Sequence, residues 1–391
     1  MDPNMIRDIV LNTHEPVTIK NFEIPWNCFS ESFPQWLSFL DKSTPNDGFV
    51  FDTSSLRNGD RPQWERKRGK IRMTMADFHR NANSTAGHFK INWASYSYRC
   101  ISELPEKCRR GVDFKSFGFP DATEDISFWI GSKGSHTPCH YDTYGCNIVV
   151  QVYGRKSWLL FPPDAKLKQT RVPYEESSVY CEENFYSPER YSAVIDVEND
   201  AYCVTLEPGM TLIVPPKWWH FVESLETSLN FNTWIPLEKD TEEQISECLT
   251  RLIVLDYAKN LTTCNLKHII NPNELTMTTD PSSGEELQLT LEHLLNQRTT
   301  NKRQRTTQKR YLSGYLQQTE LSHLLSRYNN FITIVPKLTS HNFFHMMKRN
   351  SLRYDSALNG TSDDEGHNRR IASTINSACN PTLIKLVKDI L

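Results

Sequence analysis

Apolar positions come in short runs through the first two thirds of the chain and at helical intervals after that. Over residues 1–95 the runs are brief and interrupted. Pro16-Val17-Thr18-Ile19 and Phe49-Val50-Phe51 predict short strands, Phe33 to Leu40 predicts a short helix, and Met75 to Arg80 opens another. The basic stretch Arg61 to Arg72 reads as a solvated loop or an edge strand. From 126 to 236 the pattern is β. Ile126 to Ile130 is a strand. Cys146 to Tyr153 and Lys156 to Phe161 flank Gly154-Arg155, which predicts a hairpin, and Pro162-Pro163-Asp164 ends its second strand. Tyr202 to Leu206 and Met210 to Val214 flank Glu207-Pro208-Gly209 and predict a second hairpin; Ser228 to Ile235 is the last strong strand. Many short strands with Pro and Gly between them, and few helices, predict a mainly β fold: an antiparallel barrel or jelly roll.

After Pro236 the period lengthens. Asp240 and Glu243 have the spacing of a capping box, and Ile245, Cys248, Leu249, Leu252 and Ile253 then form one helical apolar face. Leu287 to Leu295 predicts a shorter helix, and Thr382 to Leu391 a small amphipathic one. Asn296 to Arg310 carries six Lys/Arg and no acid. Lys348 to Asn368 is polar and reads as partly disordered. The expected organisation is an α/β support over 1–95, a domain over 96–262 with its barrel core at about 126–236, and a helical, partly disordered region over 263–391. There is no internal repeat.

Composition narrows the class. Of 391 residues, 38% are hydrophobic, which is enough for a core. A formal charge of −3 gives no argument for a nucleic-acid partner, and no run of 18 apolar residues predicts a membrane span. Met1 to Arg7 shows no basic region followed by an apolar stretch, so no secretory signal is read there. The ten cysteines include no Cys-x-x-Cys, which argues against a zinc ribbon or a redox motif. Reduced thiols in the cytoplasm are the expectation; the basic stretch from Arg298 to Arg310 reads either as a solvated linker or as a nuclear-import patch.

The candidate chemistry lies in His136-Thr137-Pro138-Cys139-His140-Tyr141-Asp142 and in Pro215-Pro216-Lys217-Trp218-Trp219-His220. Residues two apart on a strand share a side, so His140 and Asp142 can reach one ion together. His220 arrives far downstream, after a strand end and a rigid turn. Two imidazoles and a carboxylate are the minimum set that holds Fe(II) on one face and leaves positions open. A structural zinc site is more often closed by Cys. On these residues alone the competing reading is a hydrogen-bonded His–Asp pair with an unrelated histidine. Trp218 and Trp219 read as packing residues.

The run Ile130 to Pro163, with Thr137, His140, Asp142, Asn147, Gln151, Gly154, Lys156 and Phe161-Pro162-Pro163, resembles the JmjC family of Fe(II)/2-oxoglutarate oxygenases. Leu206-Glu207-Pro208-Gly209 through Trp218-Trp219-His220-Phe221-Val222-Glu223-Ser224 is similar to the family's second half. Gly131-Ser132, His136 to His140, Tyr144 to Asn147 and Pro173 to Val179 narrow the likeness to small JmjC-only hydroxylases of the type that includes factor inhibiting HIF. Among these it is similar to JmjC proteins associated with small heat-shock proteins. The likeness covers about 15–262 well and the C-terminal third only loosely.

The resemblance implies a JmjC/cupin double-stranded β-helix with His140, Asp142 and His220 as iron ligands and catalytic centre. It implies that Lys156 pairs with the distal carboxylate of 2-oxoglutarate, that Thr137 donates a hydroxyl to it, and that Asn147 and Asn232 line the co-substrate pocket. Tyr96 or Tyr98 matches the family's co-substrate tyrosine. The implied partners are a protein substrate and a small heat-shock protein, with dimerisation through helices after the barrel; the alternative for the Ile245 to Ile253 face is that it caps the barrel. Thr137 is odd-numbered against His140 and Asp142 and should face away on a regular strand, unless Pro138 bends it. The insertion Asp164 to Asp200 reads either as a substrate-touching loop or as a surface excursion. Two readings compete with a protein hydroxylase: a catalytically silent cupin adaptor and a histone lysine demethylase.

Overall fold

The expected strands form, but they do not pair in the order of the chain. The computed structural model describes residues 1–43, 48–53, 69–82, 95–123, 125–172, 178–258, 284–300, 310–355 and 373–391. Among them the strands are β1 (Val17–Ile19), β2 (Phe49–Thr53), β3 (Gly69–Met73), β4 (Ser95–Cys100), β5 (Ile126–Gly131), β6 (His136–Asp142) and β7 (Cys146–Tyr153). They continue as β8 (Lys156–Phe161), β9 (Ser178–Tyr180), β10 (Tyr202–Leu206), β11 (Thr211–Val214), β12 (Trp219–Ser224), β13 (Ser228–Ile235) and β14 (Ile332–Ile334). One sheet has the order β14-β1-β11-β7-β13-β5-β4-β2-β3, the other β10-β8-β12-β6-β9. The nine-stranded sheet therefore runs across the boundaries expected at 95 and 262.

Both predicted hairpins are corrected. β7 and β8 lie in different sheets, and so do β10 and β11. Each Gly turn is a corner at which the chain crosses the sandwich, as in a jelly roll. The corner at Gly154 is tight: its φ is +64°, and a Cβ would stand 2.0 Å from the Thr227 carbonyl oxygen. Two apolar runs around a glycine look the same in sequence whether the second strand returns beside the first or passes to the facing sheet.

Alternation along the strands divides the core into layers. On β7, Ile148, Val150 and Val152 join Phe128, Phe231 and Ile235 outside the nine-stranded sheet, where Trp36 stacks on Phe128. Val149 points the other way, into the barrel, with Trp158, Leu160, Leu206, Leu212, Val214 and Val222. The far side of the five-stranded sheet packs Cys139, Tyr141, Leu159, Phe161 and Phe221 against Phe185, Phe343 and Met347. Phe343 and Met347 belong to the helix Ser340–Asp355, so Lys348 to Asp355 is helical rather than disordered. The rest of that polar stretch, and residues 301–309 of the basic one, lie outside the described residues.

Helices form where the period predicts them, at Phe33–Ser43, Met75–Ala82, Gly284–Thr300 and Pro381–Ile390. The pattern did not announce Pro3–Asn12, although Asp2 caps it and Pro3 opens it. The long helix Thr241–Ala258 lacks the expected capping box: the Asp240 carboxylate accepts from the Leu237 and Gly145 N–H groups instead of exchanging bonds with Glu243. Its apolar face is covered within the chain, since Ile245, Cys248 and Leu249 pack on Leu287, Leu294 and Ile384. No helix among the described residues is long and apolar enough to cross a membrane.

The helix Ser340–Asp355 is tied to the barrel by one buried ion pair. Arg353 holds both oxygens of Glu223, at 2.6 and 3.2 Å, donates to the Tyr186 carbonyl oxygen and lies over the Tyr186 ring. Glu223 is 6% exposed, so without Arg353 its charge would be stranded. Arg353→Met is expected to cost about 3 kcal/mol in urea unfolding, the lower end for breaking a buried pair because the arginine is partly solvated. A loss of only a few tenths would show that the pair is held no better than a surface one.

Candidate metal centre

Thr137 resolves first, because it depended on strand geometry. His220 pairs with His140 across β12 and β6, but Val222 pairs with Thr137, so β6 spends one extra residue in that interval. This is a β-bulge at Pro138 and Cys139, and it turns Thr137 to the same face as His140. The bend expected from Pro138 is therefore present.

His140, Asp142 and His220 converge. One ligand atom from each lies within 4.8 Å of the others. His140 Nε2 is 3.6 Å from Asp142 Oδ1, and His220 Nε2 is 3.9 Å from Asp142 Oδ2. His140 Nδ1 donates to the Pro138 carbonyl oxygen at 2.8 Å, and His220 Nδ1 donates to that of Trp218 at 3.0 Å. A carbonyl oxygen only accepts, so the proton of each neutral ring sits on Nδ1 and the Nε2 lone pair faces the carboxylate. Two lone pairs and a carboxylate turned toward one another repel unless a cation lies between them. The donor set and the carbonyl-fixed tautomers suit a metal ion.

Asp142 is aimed by Asn147 and by Trp234, an indole that the sequence pattern does not single out. Its Oδ2 accepts from Trp234 Nε1 at 2.8 Å and from Asn147 Nδ2 at 3.1 Å. Asn147 Oδ1 accepts from Asn232 Nδ2, and Asn232 Oδ1 accepts from Trp129 Nε1. Asn147 and Asn232 were expected beside the co-substrate; here their amides form a relay ending on the metal-facing carboxylate. Trp234 sits two residues after Asn232 and so shares its strand face, a signal that was available in the sequence. Trp218 and Trp219 are buried, and Trp218 Nε1 donates to the His14 carbonyl oxygen.

Lys156 also lies inside. It pairs with Ser224, four residues along β12 from His220 with no irregularity between them, so both side chains share the inner face. Its Nζ donates to Asn230 Oδ1 at 2.5 Å, and burial pushes its pKa down to about 7. The register sets Tyr96 opposite Gly131 and Tyr98 opposite Trp129, while the side chains of both lie outside the described residues. The insertion after Asp164 is a packed layer. β9 adds beside β6 with Tyr180 opposite His140, and the Tyr186 ring stacks on His136 at 3.6 Å. Its residues 173–177 lie outside the described residues.

Comparison with known proteins agrees with this architecture. The profile of the family described as "Cupin-like domain" matches residues 3–240. The chain is 32% identical over 300 residues to HSPB1-associated protein 1 of Homo sapiens, covering 73% of this chain and 59% of the relative. It is 38% identical over 218 residues to the HSPB1-associated protein 1 homolog of Danio rerio, covering 54% and 49%. A shorter likeness, 35% over 116 residues, links it to Lysine-specific demethylase JMJ30 of Arabidopsis thaliana, over 28% of this chain and 26% of that protein. The chain thus spans less than two thirds of the length of these relatives. With a family match over most of the barrel and a His-Asp-His set at its inner face, the chain belongs to the cupin-like family, as a JmjC-type member similar to the HSPB1-associated proteins.

Proposed function

We propose that this protein is an Fe(II)- and 2-oxoglutarate-dependent oxygenase that hydroxylates a protein substrate. The observation that carries the reading is Lys156. It is a buried amine whose partner is an amide oxygen, and among the described residues no carboxylate pairs with it. A binding scaffold has no use for an uncompensated cation inside its barrel, whereas the far carboxylate of a small dicarboxylate would satisfy it. Two more polar atoms in the barrel strands, Trp158 Nε1 and Gln151 Oε1, are buried without a hydrogen-bond partner. Buried polar groups of this kind call for a ligand or water. The Trp158 ring stacks on His220 at 5.6 Å, linking this region to the metal-facing end.

His140, Asp142 and His220 would hold the iron, and a 2-His-1-carboxylate set suits Fe(II) with open positions. With dioxygen as the oxidant, the bound pair would supply oxidative decarboxylation of 2-oxoglutarate to succinate and CO2, one oxygen atom entering succinate and the other a substrate C–H bond. The chain's part is placement. The carbonyl oxygens of Pro138 and Trp218 fix the imidazoles, Trp234 and Asn147 fix the carboxylate, and the apolar interior around Val149, Leu160 and Val222 keeps water out. Thr137, on the bulged face, is the hydroxyl proposed to assist Lys156. The relatives are named for association with HSPB1, and a small heat-shock protein partner is carried to this chain as part of the same proposal.

The test is succinate formation by the purified chain with Fe(II), 2-oxoglutarate and candidate peptides. Wild type is expected to form succinate and to add one oxygen atom to a peptide, while His140→Ala does neither. A wild-type rate equal to the His140→Ala background would leave the silent adaptor. Loss of a methyl group from the peptide would assign demethylation instead.

A further inference from the structure

We propose that Asp240, in the turn that precedes the helix Thr241–Ala258, and Glu243 and Glu247, on one face of that helix, are positioning residues for the metal centre. They clamp from outside the barrel the two turns from which its ligands emerge. This rests on the metal reading above and assigns its support to a helix that no ligand belongs to.

The spacing of 243 and 247 puts two carboxylates on one side of the helix, and Asp240 closes the turn just before its first residue. The first turn they hold follows Asp142. There the Gly145 N–H donates to Asp240 Oδ1 at 3.1 Å, and the Tyr144 hydroxyl donates to Glu247, which also takes Arg251. Gly145 has φ +71° and its Cβ position lies 2.7 Å from the Ile235 carbonyl oxygen, so this turn has one shape. The second turn precedes His220. Lys217 there adopts φ +64°, a conformation that side chains other than glycine hold only when their surroundings impose it. Its ammonium donates to Glu243 at 2.5 Å. Asp142 and His220 are thus two and three residues from the nearest clamped side chains, Tyr144 and Lys217. The two strands β6 and β12 are paired neighbours in one sheet, with His140 opposite His220, and the helix holds the turns at their ends. A metal ion demands its ligand atoms within fractions of an ångström, and Asp142 and His220 both sit at strand ends, where the ladder gives way to these turns.

The test titrates Co(II), as a spectroscopic stand-in for Fe(II), into the full chain. The Glu243→Gln/Glu247→Gln double variant is expected to bind Co(II) about tenfold more weakly, in the range for outer partners of ligands. Its visible Co(II) bands should also change, because the ligand geometry is loosened. The charge-swapped K217E/E243K variant is expected to recover affinity relative to Glu243→Lys alone. A double variant with wild-type affinity and spectrum, and only a lower melting temperature, would overturn the inference and leave the helix a plain structural cap. If the double variant does not fold, Tyr144→Phe carries the test: weaker Co(II) binding supports the clamp and unchanged binding overturns it. Failure of the wild type itself to bind Co(II) removes the metal reading and this inference with it, a result distinct from equal binding by wild type and variant.

Discussion

Asp142→Ala is expected to abolish metal binding, with an affinity loss well beyond the about 10–100-fold that outer partners of ligands cost. The carboxylate is the one anionic donor of the set, and the two imidazoles left behind are neutral. The same change strips Trp234 Nε1 and Asn147 Nδ2 of their acceptor, and Asn147 is buried. A buried donor left without a partner costs about 1–3 kcal/mol, so the metal-free Ala variant is expected to unfold about 2 kcal/mol more easily than wild type. Asp142→Asn separates the two effects. Its amide oxygen can still accept from Trp234, so stability stays close to wild type, while the missing charge still removes the metal. Co(II) or Mn(II) titration and thermal melting of both variants read this directly. Metal affinity retained in Asp142→Asn would mean that the carboxylate belongs to the indole and amide relay alone.

The convergence of His140, Asp142 and His220 was legible because its signals are local: His140 and Asp142 at strand spacing, and His220 behind a proline turn. What surrounds it was less so, for definable reasons. Whether Thr137 faces the ligands depends on one inserted residue in β6, and a bulge shows only when the partner strand is present to count against. The crossing of β7 to β8 has the same punctuation as a hairpin, and what decides it is the pairing of each with strands more than 40 residues away. The helix Ser340–Asp355 hid among Lys, Arg and Asn, yet Phe343, Met347 and Asn350 fall on one buried face at helical spacing. Its ion pair with Glu223 spans 130 residues and leaves no local trace. The relay from Trp129 to Asp142 was half visible. The asparagines were singled out by likeness, but the indoles bracketing them were not, since a tryptophan in a strand ordinarily signals packing.

Lys156→Met is expected to make the empty protein more stable while removing its response to 2-oxoglutarate. Burial holds the amine at a pKa of about 7, against about 10.4 for a free lysine. Between those values the unfolded chain binds more protons than the folded one, so wild-type stability rises with pH across that window. Below about 7 the folded protein carries a buried charge with no counter-ion, and its cost is felt in full. Methionine fills similar volume without that charge, so the variant is expected to gain about 1–3 kcal/mol at pH 6 and progressively less toward pH 10. The gain is reduced by the Asn230 oxygen, which loses its donor. Ligand binding runs the other way. A dicarboxylate favours the protonated amine, so wild-type affinity for 2-oxoglutarate is expected to fall as pH rises above about 7, with proton uptake on binding at pH 8. Titration calorimetry in two buffers of different ionisation enthalpy measures that uptake, and the thermal shift on adding 2-oxoglutarate is expected to vanish in the Met variant. Equal shifts in wild type and variant, or an affinity indifferent to pH, would take Lys156 out of the binding site and leave the barrel without a counter-charge for the co-substrate.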